Sequence, residues 1–249
     1  MSGVAGLIGP LLALKDDEAF KLACICGERL IDTQLSSGGW LTGDNKAPLT
    51  GFSHGAGGIA AALAHLFQVS GDRRFMETSL SALAYERSVF VPEKSNWPDF
   101  RFTSKPQGFK KTWCHGAPSV GYSRLCLVQT SLWDEKAKEE VKTACTVATD
   151  SSDNQLEHLC CGLLGVSAFL SNASRYLNEP MWKFEAERLE TLAFEQAKSR
   201  NGNYGVFGGT QLPLLGLFTG YSGIGLAMLG TEIAQNILTV TLSAGLLKP

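Results

Sequence analysis

Apolar segments with helical spacing recur along the chain, and each begins just after a glycine. After Gly55, for example, Ile59, Leu63, Leu66 and Phe67 follow the i, i+4, i+7, i+8 spacing of one helix face. Five such segments occur, led by Gly3, Gly55, Gly116, Gly162 and Gly220. Their spacing of roughly 50–60 residues suggests a repeat architecture. Because the five segments carry few charges, we expect their helices to line the inside of the fold.

Longer and more highly charged helical patterns lie between the apolar ones. They run from Asp16 to Gln34, from Asp72 to Phe90, from Asp134 to Thr149 and from about Pro180 to Ser199. Asp16 or Asp17 suits the N-cap of the first helix, and Pro180 suits the first position of the last. The alternation of apolar and amphipathic helices predicts the inner and outer layers of an α/α barrel. Strand signals are weak and no linker divides the chain, so we predict one all-α domain.

Two long segments interrupt this pattern, from Val91 to Lys111 and from Asn201 to Leu215. Loops of this length are uncommon in a compact domain unless they have a function. Both precede an inner helix, so both could form part of a substrate face. The alternative is that they are surface insertions.

Composition narrows the class of protein. The chain has 249 residues, of which 44% are hydrophobic and 18% charged, as expected for a globular protein with a sizeable core. A net charge of −2 gives no basic footprint for nucleic acid. No apolar run reaches the length of about 18 residues that a membrane span needs. The segment from Met1 to Leu14 lacks a basic n-region and a cleavage site, so we expect a cytoplasmic protein.

Seven cysteines, two of them adjacent, indicate a reducing compartment with thiols kept for metal binding. Three of them lie just before glycine-led helices: Cys114, Cys160 and Cys161. Thiolate ligands favour Zn²⁺ over Mg²⁺ or Ca²⁺, and three protein ligands would leave one tetrahedral position open. The alternative is that these three thiols are small buried core residues. Cys24 and Cys26 stand two apart on a predicted helix and cannot face each other, so we predict no metal site there.

Four motifs together resemble the lanthionine synthetase cyclase family, and most closely the C-terminal cyclase domain of class II lanthipeptide synthetases. They are Gly51-Phe52-Ser53-His54-Gly55, Trp113-Cys114-His115-Gly116, His158-Leu159-Cys160-Cys161-Gly162 and Gly216-Leu217-Phe218-Thr219-Gly220. The likeness covers almost the whole chain. Many members have Cys-His-Gly in the third motif, where this chain has Cys160-Cys161-Gly162. It therefore resembles the subgroup with three cysteine ligands.

The resemblance implies an α/α toroid of seven helical hairpins with Zn²⁺ held by Cys114, Cys160 and Cys161. It also implies a zinc-dependent lanthipeptide cyclase whose partner is a dehydrated precursor peptide that contains cysteine. A cysteine thiolate of that peptide adds to dehydroalanine or dehydrobutyrine and forms a lanthionine or methyllanthionine thioether ring. Zinc would keep the substrate thiol ionised near neutral pH, because only the thiolate is nucleophilic.

Histidines complete the site that the resemblance implies. His54, in the Gly-x-x-His-Gly motif, takes the acid–base role, and an unperturbed pKa of about 6.5 suits it. His115 follows a ligand and could orient it by a hydrogen bond. Structural alternatives exist for both, since His54 could instead pack against the start of the Gly55 helix. Lys110 and Lys111 could help an enolate to form, or could belong to a solvated loop.

The chain also departs from the family pattern. The family's acid–base aspartate would fall before Met1, and five glycine-led helices suggest about five of the seven hairpins. Residues 1–249 are thus expected to form a partial cyclase-like domain, an incomplete toroid without the dehydratase domain, and a separate chain could supply the missing hairpins. The alternative function is a truncated, non-catalytic remnant that binds zinc and peptide. A glycosidase on the same architecture is less favoured, because no carboxylate pair marks the inner helix starts.

Overall fold

Helices account for the regular structure of this protein in the computed structural model, which describes residues 3–101, 108–151, 154–206 and 214–229. The helices are α1 (Val4–Ala13), α2 (Asp17–Thr33), α3 (Ala56–Ser70), α4 (Arg73–Ser88), α5 (Ala117–Leu125), α6 (Glu135–Thr149), α7 (Leu163–Leu177), α8 (Met181–Ser199) and α9 (Tyr221–Met228). A short 3-10 helix, Pro92–Lys94, follows α4. These ranges contain two isolated β-bridges and no β-strand.

Consecutive helices pair into hairpins. Each odd-numbered helix from α1 to α7 packs against the even-numbered helix that follows it, and the odd-numbered helices pack against one another in chain order through α9. All nine residues of α5 are buried, whereas five of the nineteen in α8 are, so the odd-numbered helices form the inner layer. The prediction of an all-α, α/α toroid is confirmed. Its described part holds four hairpins and the inner helix of a fifth.

The outer helices begin with side-chain caps. Asp16 accepts hydrogen bonds from two backbone N–H groups in the first turn of α2, both at 3.0 Å. Asp72 and Asp134 each accept one such bond, in α4 and α6, at 3.0 and 2.8 Å. Each cap is worth about 1 kcal/mol. Only α8 differs, because Pro180 stands at its N-cap and not at the first helical position that we predicted.

Three of the five inner helices, α3, α7 and α9, begin instead with a backbone hydrogen bond to the loop before them. The N–H of Ala56, the first residue of α3, donates to the carbonyl of Leu49 at 2.9 Å. The same bond recurs at α7 and α9, at 2.9 and 2.8 Å, where it joins Leu163 to Leu156 and Tyr221 to Leu214. Each bond closes a loop directly onto its own helix, and we call residues 49–56, 156–163 and 214–221 the closed loops. They carry three of the four sequence motifs.

Aromatic side chains join these loops to one another. The ring of Phe52 lies 5.6 Å from that of Trp113 and 4.9 Å from that of Tyr122, in edge-to-face geometry. Trp113 in turn stacks on Phe218, at 5.1 Å. Such pairs add stability beyond the apolar area they bury. The loops that precede α3, α5 and α9 therefore meet at one end of the inner layer. Among the described residues, every helix is too short or too polar to cross a membrane.

Candidate metal centre

Three cysteine sulfurs meet where these loops converge. Cys114 lies in the segment before α5, and Cys160 and Cys161 lie in the closed loop before α7. The Sγ atoms of Cys114 and Cys161 are 3.1 Å apart, and those of Cys161 and Cys160 are 3.6 Å apart. All three sulfurs lie within 4.8 Å of one another. Across the described ranges, they form the one group of three or more His, Cys, Asp or Glu ligand atoms that come this close.

Local backbone geometry presents these sulfurs. The N–H of Cys160 donates to the carbonyl of Phe218 at 2.8 Å, which ties one closed loop to the next. The N–H of Cys161 donates to Nδ1 of His158 at 3.3 Å, and the amide of Asn154 donates to the Cys161 carbonyl at 2.8 Å. His158 thus acts on the backbone of the loop that carries both thiols.

Gly116 turns the chain from Cys114 into α5. Its φ of 77° lies in the left-handed region, which side chains rarely adopt. A Cβ there would lie 1.7 Å from the carbonyl oxygen of Lys110, so no other residue fits. Thr112 reinforces the turn, since its N–H donates to the carbonyl of His115 at 3.1 Å and its hydroxyl lies 3.5 Å from the Cys114 sulfur.

The pKa values of the three thiols are shifted in different directions. Hydrogen bonds from Cys160 and Cys161 lower the pKa of the Cys114 thiol, although its burial opposes this. Hydrogen bonding to Cys114 raises the pKa values of Cys160 and Cys161. Because the thiolate is the form that binds metal, a cation between the sulfurs would let all three ionise.

The donor set fits a zinc ion. Four ligands about 2.3 Å from a tetrahedral Zn²⁺ stand roughly 3.8 Å apart. The sulfur separations of 3.1 and 3.6 Å are close to this, so small side-chain rotations would complete the geometry. All three cysteines are free, and thiolates are the ligands that zinc prefers over hard oxygen donors.

Two histidines stand beside the sulfurs. The rings of His54 and His115 stack, with centroids 5.2 Å apart and planes 18° apart. Burial lowers the pKa of His115 to about 4, although the Cys114 thiolate opposes this. Partial desolvation also lowers the pKa of His54, again against the effect of Cys114. Both rings are therefore uncharged near neutral pH, and His54 is the one that is exposed to solvent.

Two pockets flank this histidine pair. The first, of about 440 Å³, reaches Cys161 and His115, and its walls include Arg101, Lys110 and Lys111. The second, of about 260 Å³, is lined by His54 and is mostly apolar. Four residues of the segment predicted as part of a substrate face, Val91 to Lys111, line the pocket beside the sulfurs: Arg101, Phe109, Lys110 and Lys111. Residues 102–107 of that segment lie outside the described residues. Residues 207–213 of the second long segment lie outside the described residues.

Arg101 and Asp99 are site residues to which the sequence assigned no role. The Arg101 guanidinium donates to both carboxylate oxygens of Asp99, at 2.6 to 3.0 Å. Burial raises the pKa of Asp99, but its hydrogen bonds with Arg101 outweigh this and lower it. Lys111 is held too, since its Nζ lies 2.5 Å from Oδ2 of Asp150. The signal for these residues in the sequence is an Asp-x-Arg pair in a long loop, which alone does not mark a site.

Comparison with known proteins places this architecture. A family model described as "Lanthionine synthetase C-like protein" matches residues 1–240. Among solved structures, nisin cyclase superposes with a TM-score of 0.73 at 16% sequence identity, over 97% of this chain and 66% of that one. The chain thus spans 66% of the length of nisin cyclase, and the likeness at this identity concerns the fold. No curated protein sequence matches the chain.

Proposed function

The chain belongs to the lanthionine synthetase C-like family, and from this premise we propose that it is a zinc-dependent lanthipeptide cyclase. Its substrate would be a dehydrated precursor peptide in which a cysteine thiol adds to dehydroalanine or dehydrobutyrine. The product is a lanthionine or methyllanthionine ring. The observation that carries the proposal is the convergence of three cysteine sulfurs, from two distant segments, within 4.8 Å.

Cys114, Cys160 and Cys161 would hold the zinc, which supplies the positive charge that keeps a substrate thiol ionised near neutral pH. Cys161 of this cluster lines the 440 Å³ pocket, where a peptide segment can lie beside its sulfur. Asp99 holds Arg101 in a fixed orientation on the wall of that pocket. Together with Lys110 and Lys111, Arg101 would favour negative charge on the substrate carbonyl.

His54 would move the proton. Addition forms a carbon–sulfur bond at Cβ of the dehydrated residue and leaves an enolate, which needs a proton at Cα. Because the lowered pKa leaves the ring of His54 neutral, a ring nitrogen can accept the proton that the thiol gives up and return it to Cα. His115, buried against His54, would hold that ring beside Cys114.

One assay tests this function. The zinc-loaded chain is incubated with a dehydrated, cysteine-containing precursor peptide, and loss of free thiol is followed by alkylation and mass spectrometry. We expect thioether formation above the uncatalysed rate, and a His54→Ala variant that keeps its zinc but loses most of this rate. Peptide binding without any thioether would contradict the cyclase and leave the non-catalytic zinc- and peptide-binding protein.

A further inference from the structure

Glu86, near the end of the outer helix α4, is a carboxylate with no exposure to solvent. A buried charge of this kind is strongly destabilising unless it is paired and hydrogen-bonded. Its Oε1 accepts hydrogen bonds from the backbone N–H of Gly51 at 2.6 Å and of Gly57 at 2.8 Å. Its Oε2 accepts from Nη1 of Arg124, in α5, at 2.6 Å. Donors from three separate elements therefore converge on one carboxylate.

Gly51 and Gly57 stand on either side of His54. Gly57 lies in the first turn of α3, where free N–H groups attract negative charge. A Cβ on Gly57 would lie 2.7 Å from Oε2 of Glu86 and 2.4 Å from the hydroxyl of Ser123, so the absence of a side chain permits this approach. Glu86 thus fixes both ends of residues 51–57, which we call the His54 segment.

The His54 segment is also attached to α5. The N–H of Phe52 lies 2.9 Å from the hydroxyl and 3.1 Å from the carbonyl of Ser119, in the first turn of α5. Cys114 and His115 lie just before that helix, and the ring of His54 stacks on that of His115. Contacts from α4 and α5 therefore set where His54 stands relative to the sulfurs.

We propose that Glu86 is a positioning residue for this site, whose carboxylate holds the His54 segment where its imidazole meets His115 and the thiol cluster. The inference rests on the proposed function, in which His54 is the acid–base residue. Every neighbour of the carboxylate is a donor, so only an acceptor with two oxygens satisfies them all. A glutamine here would aim its NH₂ group at Arg124 or at the two backbone amides.

The competing interpretation is that Glu86 only stabilises the fold. Glu140 provides the matched control, because it accepts from Nε of the same Arg124 at 2.8 Å while its other bonds go to Arg87. If stabilisation is the whole role, Glu86→Gln and Glu140→Gln have similar effects. If Glu86 positions the segment, only its own variants move His54.

Histidine ring resonances separate these interpretations, because the chain has four histidines to assign. NMR spectra of zinc-loaded wild type, Glu86→Gln, Glu86→Asp and Glu140→Gln are compared well below each unfolding midpoint. We expect both Glu86 variants to shift or broaden the rings of His54 and His115 and to leave that of His65 unchanged. Glu140→Gln should leave all of them in place. Unmoved His54 and His115 resonances in the Glu86 variants, or equal movement in Glu140→Gln, overturn the proposal.

A measurement on the wild-type chain covers the case in which the Glu86 variants do not fold. Amide hydrogen exchange at Gly51 and Gly57 should be as slow as in the interior of α3, because both N–H groups are held by a buried carboxylate. Exchange at the rate of an exposed loop overturns the proposal.

Neither the NMR comparison nor the hydrogen-exchange measurement requires catalysis. Failure of the cyclase assay therefore does not decide whether Glu86 positions the His54 segment. Where the wild type forms thioethers, Glu86→Asp, which keeps the charge but shortens the reach, should lower kcat by roughly tenfold to a hundredfold. KM should change little, and Glu140→Gln should keep the wild-type kcat. A Glu86→Asp enzyme with wild-type kcat contradicts the positioning role.

Discussion

Cys160 and Cys161 differ from the core cysteines of the protein in both burial and neighbours, because they are only half-buried and lie beside other sulfurs. Cys126 and Cys145 are buried in the core, and burial raises the pKa of each thiol. The clustered thiols instead contact other sulfurs, and Cys114 carries the lowered pKa of the group. Thiolate character, which governs metal binding, is therefore confined to one corner of the chain.

Replacing Cys160 by alanine should remove the metal. We expect the zinc affinity to fall by more than about a hundredfold, because even the loss of a group outside the coordination sphere costs up to that much. Zinc per chain after dialysis, together with competition against a chelator, measures the change. Cys26→Ala, on the outer helix α2, serves as the control and should keep full zinc occupancy. Equal zinc in the two variants would refute the ligand assignment.

At the scale of elements, the starts of α1 and α5 offer a natural comparison. Gly3 and Gly116 both have a φ of 77°, but a Cβ on Gly3 meets nothing within 4 Å while one on Gly116 strikes the Lys110 carbonyl. Gly3→Ala should therefore cost only the backbone strain, about 1–3 kcal/mol. Gly116→Ala should lower the free energy of unfolding by more than that, because its Cβ also strikes the Lys110 carbonyl. It should also lower zinc affinity, because the turn presents Cys114. Urea unfolding and zinc titration measure both effects, and equal losses would contradict the role of the turn.

The helices were predictable because their signals are local. Asp16, Asp72 and Asp134 cap their own helices, and each of the five glycines immediately precedes an apolar helix. Apolar periodicity then separated the inner layer from the outer one. These features need no knowledge of distant contacts, which is why the boundaries of the four outer helices fall within two residues of those predicted from the sequence.

The site could be predicted only in part, because its geometry is non-local. The motifs predicted Cys114 and His54 as site residues, and only the family resemblance, not any local signal, predicted that their loops meet. The burial of Glu86 could not be predicted, because a glutamate in a charged helix normally faces water. Its burial depends on Arg124, 38 positions later in the chain, and on Gly51 of the His54 segment, which comes before α4 in the chain.

At the scale of the whole molecule, a buried ion network joins two hairpins. Arg124, fully buried in α5, pairs with Glu86 of α4 and Glu140 of α6, and Arg87 of α4 also reaches Glu140. Burial raises the pKa of Glu140, but the positive charges of Arg124 and Arg87 outweigh this, so its pKa lies below the ordinary value. The network therefore supplies stability that depends on an ionised carboxylate.

Because the pKa of Glu140 is lowered in the folded protein, acid reduces the stability that this side chain contributes. The stabilisation from Glu140 is fully present above its unfolded pKa, about 4.3, and is lost as the pH falls through the lower, folded value. Glu140→Gln should thus be less stable than wild type near pH 7, and the difference should shrink below about pH 4. Urea midpoints measured between pH 7 and pH 3 test this. A difference that stays constant over that range would show that the charge of Glu140 contributes nothing.

The closed loops carry a consequence for engineering. Since 49–56, 156–163 and 214–221 are each closed by one main-chain bond to the helix that follows, the closure itself does not depend on the side chains between the bonded residues. The same backbone frame therefore presents different side chains at three points of the toroid.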